Sequence, residues 1–110
     1  MIKVKFYLSD SLINGFEISG HSGSAIAGED IICASVSSSA YMVANTITDV
    51  LFINAQIEVD DGYMKLVVSE KLSEAQPILK GLRLHLESLA GDYPKNIKVT
   101  TSQIRRCQNA

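Results

Sequence analysis

A two-layer α+β domain, with two helices packed on one face of a mainly antiparallel sheet in the order ββαββαβ, is the fold class this sequence predicts. Three patterns carry the prediction. Five segments alternate apolar and polar residues with the period of a half-buried strand, two longer segments repeat apolar residues every three or four positions as an amphipathic helix does, and turn signals separate them. Each kind of element needs a partner for its apolar side, and helices laid on one face of an antiparallel sheet serve both.

Residues 2–9 alternate Ile2, Val4, Phe6 and Leu8 with Lys3, Lys5 and Tyr7, and Asp10-Ser11 reads as a turn. Residues 12–19 alternate less cleanly. Ile13, Gly15 and Glu17 are expected on one side and Leu12, Phe16 and Ile18 on the other, which completes a first hairpin. From Asp30 to about Leu51, Ile32, Val36, Ala40, Val43, Ile47 and Val50 form a helical stripe, with Asp30 available as its N-cap. Ser35, Ser37, Ser38 and Ser39 lower helix propensity but permit close approach of a neighbouring chain.

Residues 54–60 and 63–69 alternate around Asp61-Gly62, a strong tight-turn dipeptide, and give a second hairpin. Ser73 with Gln76 fits a capping box, Pro77 sits near the start, and Ile78, Leu82, Leu86 and Leu89 stripe a helix over residues 73–90. Pro94 stops any continuation, and Ile97 and Val99 mark a last short strand.

The length of 110 residues suits a single domain, expected over residues 1–101, followed by a polar tail over 102–110. A hydrophobic share of 46% against 20% charged is enough for a packed core. The net charge of -2 supplies no basic field, so direct nucleic-acid binding is not expected, and Arg105-Arg106 reads as a solvated end. No stretch approaches the ~18 apolar residues of a membrane span. The N-terminus reads as a strand rather than a signal peptide, so a cytoplasmic protein without a membrane partner is expected. Two cysteines, Cys33 and Cys107, are too few for a disulfide framework.

Cys33 is the residue that suggests chemistry. A thiol attacks as thiolate, which a helix N-terminus and a nearby imidazole both favour. With Asp30 as cap, Cys33 is expected in the first helical turn, beside backbone amides able to hold an oxyanion. His21 ends the second strand, and Gly23 and Gly28 allow the intervening chain to bend back over the helix start, as a mobile loop that orders on substrate or as a static turn. Within hydrogen-bond reach of the thiol, His21 would act as its base and later protonate the leaving amine. Taken alone, Cys33 also fits a small buried hydrophobe and His21 a strand-edge histidine bonded to backbone.

The string Gly20-His21, then Gly28, then Asp30-Ile31-Ile32-Cys33-Ala34 and Val36-Ser37, resembles the signature of the bacterial ribosomal-processing cysteine protease family. The likeness extends through the element order to LAGDYPKNIKV near the end of the second helix. It implies a cysteine endopeptidase that removes the N-terminal extension of large-subunit ribosomal protein twenty-seven, acting as a homodimer without a cofactor. His21 and Cys33 match the catalytic pair. Asp30 matches a position near that pair, where it can orient His21 or cap the helix. Gly20, Ser22, Gly23 and Ser37 are candidates to line the substrate groove, with a packing or back-bonded role as the alternative for Ser37. The sequence departs from the family at Ser22, Ser24 and Ser35, which bears on the shape of the loop over the substrate and on the preferred cleavage sequence.

Two readings from other classes compete with this one. A noncatalytic ribosome-associated module would hold the same peptide without cutting it, and a redox sensor would need the thiol but not His21. His85 and Cys107 are expected to be spectators. The spacing of the His and Cys residues fits no zinc site, Asp60-Asp61-Gly62 lacks further calcium ligands, and no nucleotide fingerprint occurs, so no metal or cofactor is expected.

Overall fold

A computed structural model describes residues 1–20 and 29–103. Strands β1 (Ile2–Ser9), β2 (Leu12–Ser19), β3 (Ala55–Asp60), β4 (Tyr63–Val68) and β5 (Ile97–Gln103) form one sheet in the order β3-β4-β2-β1-β5. Helix α1 (Glu29–Asn45) continues into a π-helical turn over Thr46–Val50, and helix α2 is Leu72–Asp92. Every pairing is antiparallel except β1 with β5, as the predicted fold class requires. The last strand reaches Gln103, two residues into the expected tail, because Ser102 and Gln103 still pair with Tyr7 and Leu8.

Ile2, Val4 and Phe6 of β1, Ile13 and Phe16 of β2, Met64, Leu66 and Val68 of β4 and Ile97 of β5 turn one face of the sheet toward the helices. Val36, Ala40, Val43, Ala44 and Ile47 meet them from the first helical run, and Ala75, Leu79, Leu82 and Leu86 from α2. Phe6 and Phe16 are cross-strand partners, their ring centroids 6.2 Å apart and tilted. Such aromatic contacts add to burial. On the opposite face Tyr7 donates to a Glu17 carboxylate oxygen, and Lys65 Nζ lies 5.5 Å from the centre of the Tyr7 ring.

The expected facing of β2 is corrected by a bulge. Tyr7 pairs with Gly15 but Leu8 pairs with Ile13, so Asn14 is an extra residue that flips the start of the strand. Ile13 therefore joins Phe16 and Ile18 on the core side instead of opposing them.

Both helices also differ at their ends from the pattern in the sequence. Val50, expected in the stripe, is 65% exposed, since the wider π turn rotates it away after Ile47. Helix α2 starts at Leu72 behind Lys71, which holds a left-handed conformation and makes no side-chain cap. Ser73 is thus inside the helix, and Gln76 is buried and bonded to β2 rather than reaching back to a cap.

By length and composition the run Ile31–Val50 is apolar enough to cross a membrane, against the expectation that no segment would be. Its scarcity of charges lets the window tolerate interspersed serines. A core helix passes the same test, and here Val36, Ala40, Val43 and Ile47 are built into the common core.

Candidate active site

The helix starting at Glu29 carries Cys33 as its fifth residue, so the cysteine lies just past the first turn where the sequence suggested it would fall within it. The shift follows from a helix start one residue before Asp30. The Cys33 amide therefore comes after the four that a helix leaves without an intrahelical acceptor. Helical side chains in general lean toward the N-terminus, the positive end of the helix dipole. Asp30 is the second helical residue, inside the first turn rather than at the cap.

Cys33 is half-buried, packs against the core and forms no disulfide among the described residues. It lines a cleft of about 270 Å³ between α1, the end of β2 and the β3-β4 turn. The cleft floor is apolar, from Ile2, Val36, Ala40 and Met64, and its α1 wall continues from Cys33 through Ser37 to Tyr41. The opposite rim is Asp60 to Tyr63.

Gly20 closes the end of the cleft nearest β2. Its φ of +93° suits glycine, and a Cβ there would overlap the Met1 carbonyl oxygen. Its amide donates to the Gly62 carbonyl at 2.9 Å, which ties the end of β2 to the hairpin turn. Gly20 also immediately precedes His21 in the chain. His21, Ser22, Gly23, Ser24, Gly28 and Cys107 lie outside the described residues, as does the expected bend of the chain over the helix start.

Of the predicted site residues, the structure gathers Gly20, Cys33 and Ser37 around one cleft. Ser37 is exposed, and it is Ser35 and Ser39, not Ser37, that bond back to helix carbonyls, those of Ile31 and Val36. His85 is exposed on α2, away from the cleft lining. Among the described residues no three His, Cys, Asp or Glu side chains come together as a metal site.

The sequence reading missed Tyr41, the floor residues Ile2 and Met64, and the Asp60 to Tyr63 rim. Tyr41 was within reach, since it follows Cys33 and Ser37 at helical spacing. The rim meets α1 only through the tertiary fold and leaves no local signal.

A two-layer α+β domain with a helix-borne thiol lining an open cleft has the parts of a cysteine peptidase. The chain belongs to the cysteine protease Prp family, whose sequence model matches residues 1–98. It is 29% identical over 102 residues to the ribosomal processing cysteine protease Prp of Bacillus subtilis, covering 86% of this chain and 91% of that protein. Among solved structures it is similar to the ribosomal processing protease Prp of S. aureus with a covalently linked product peptide, at 25% identity and a TM-score of 0.83, over 93% of this chain and 100% of that one. A Streptococcus mutans protein shares the fold, with 24% identity and a TM-score of 0.85 over 94% of this chain and 99% of its own. The protein is therefore a peptidase, which sets aside the noncatalytic module and the redox sensor.

Proposed function

We propose that this peptidase removes the N-terminal extension from the precursor of large-subunit ribosomal protein twenty-seven, with Cys33 as nucleophile and His21 as general base. The cleft carries the reading: Cys33 lines it together with Gly20, the residue that leads into His21. The B. subtilis and S. aureus relatives are ribosomal processing proteases, the latter with a product peptide bound covalently, which supports both the substrate and a covalent route.

In this mechanism His21 takes the thiol proton as Cys33 Sγ attacks the scissile carbonyl carbon. The tetrahedral oxyanion draws on the amides at the start of α1. Collapse breaks the C–N bond, and His21 returns its proton to the departing amine. Water, deprotonated by His21, then hydrolyses the thioester and regenerates the thiol.

The test is incubation with a precursor N-terminal peptide under reducing conditions, read by mass spectrometry. One specific cut by wild type, lost in Cys33→Ala and His21→Ala, is expected. An uncut peptide overturns the reading.

The same proposal includes a cytoplasmic setting, where thiols stay reduced. It also includes a homodimer, which the open edge of β3 supports, since Ile57 is 41% and Val59 52% exposed there. Sedimentation that finds only monomers at micromolar concentration removes the dimer.

A further inference from the structure

On the α1 wall of the cleft, Cys33, Ser37 and Tyr41 follow at intervals of four residues and so stack on one side of the helix. Neighbouring serines satisfy their hydroxyls within the helix: Ser35 donates to the Ile31 carbonyl at 2.8 Å and Ser39 to the Val36 carbonyl at 2.8 Å. The hydroxyls of Ser37 and Tyr41 make no hydrogen bond to another described residue. Tyr41 is 45% exposed at the rim of the apolar floor. A tyrosine so placed offers a flat apolar body to a ligand and a polar tip that seeks a partner.

We propose that Tyr41 binds the main chain of the substrate, its hydroxyl donating to a peptide carbonyl three or four residues from the scissile bond. This rests on the reading of the cleft as the peptide site. Eight helical residues at ~1.5 Å each carry the wall about 12 Å from Cys33 to Tyr41. An extended peptide covers that distance with about four residues at ~3.3 Å each. Carbonyls on one side of such a peptide recur every second residue, ~6.6 Å apart, close to the ~6 Å helical rise between Ser37 and Tyr41. One helix face can therefore grip successive carbonyls of a single strand. Contacts of this kind fix the register of the peptide over Cys33 and leave its side chains to the apolar floor.

The test measures anisotropy of a fluorescein-labelled precursor N-terminal peptide with Cys33→Ala, alone and combined with Tyr41→Phe. Loss of one hydrogen bond is expected to raise Kd about fivefold for the full peptide. A peptide keeping only two residues on each side of the scissile bond is expected to bind both proteins equally. Equal Kd values for the full peptide, absence of binding by Cys33→Ala, or the same rise with the short peptide overturns the proposal. Cleavage by wild type reports separately on the peptidase reading. A peptide that is cut but bound without regard to Tyr41 removes only the role of Tyr41, whereas one that stays uncut but needs Tyr41 for binding removes only the cleavage reading.

Discussion

Ile13 and Gln76 exchange a pair of hydrogen bonds: the Ile13 amide donates to Gln76 Oε1 at 2.9 Å, and Gln76 Nε2 donates to the Ile13 carbonyl at 2.7 Å. Strand β2 outruns β4 here, because β4 pairs only from Gly15 onward. The side-chain amide of α2 stands in for the missing strand. Nε2 also donates to the Leu72 carbonyl at 2.9 Å, so both N–H donors of the amide are used.

Gln76→Leu retains bulk and helix propensity but strands two buried backbone groups, each worth ~1–3 kcal/mol when unpaired. A stability loss of about 3 kcal/mol is expected. Urea unfolding should show a lower midpoint with an unchanged slope, and an unaltered midpoint contradicts the role given to this contact.

Cys33→Ala should abolish peptide cleavage while costing less than about 1 kcal/mol of stability, since the thiol is half-buried at the cleft and the change removes one atom from it. Mass spectrometry and thermal unfolding on the same preparation read both effects. Residual cutting at the wild-type rate would assign the nucleophile elsewhere.

Gly20→Ala forces a side chain into a left-handed conformation and against the Met1 carbonyl. A cost of about 1–3 kcal/mol is expected from backbone strain of this kind. Because Gly20 also anchors the cleft to Gly62, kcat/KM should fall at temperatures where the variant remains folded. A fully active, equally stable variant contradicts this account.

Partial burial, then the hydrogen bond and charge of Glu17, push the Tyr7 hydroxyl well above its ordinary value. The unfolded chain therefore loses this proton near pH ~10 while the folded one keeps it. Fewer bound protons in the unfolded state mean that stability falls as pH rises through and beyond that point. Tyr7→Phe should flatten the decline between pH 9 and 11 in unfolding experiments. An identical decline in both proteins would deny Tyr7 this effect.

The fold could be read from residues whose environment repeats. Strands β1 and β4 and the stripes of both helices follow burial on one face, whereas β3 alternates in sequence but lies exposed at the sheet edge, and Asp61-Gly62 turns where its local chemistry indicates, with Gly62 at a φ of 67°. Gln76 could not be read correctly, because its capping-box spacing is local while its actual partner, Ile13, lies across the fold. The facing of Ile13 failed for a related reason: the bulge at Asn14 responds to strand pairing, which no single-strand alternation reveals. At the site, helical spacing made Ser37 legible and could have reached Tyr41. The Asp60 to Tyr63 rim needed the sheet, which carries that turn to α1.

Ile2 belongs both to the cleft floor and to the parallel pairing with β5, where its partner is Ile97. Parallel strands so distant in the chain must bear the entropy of closing nearly the whole polypeptide before they gain any contact. The helix that carries Cys33 is thus translated long before the floor beneath it has its supporting strand. Competence to cut should arrive late in biogenesis, and ribosome-stalled chains lacking β5 would be expected to leave precursor peptide intact until the final strand is supplied.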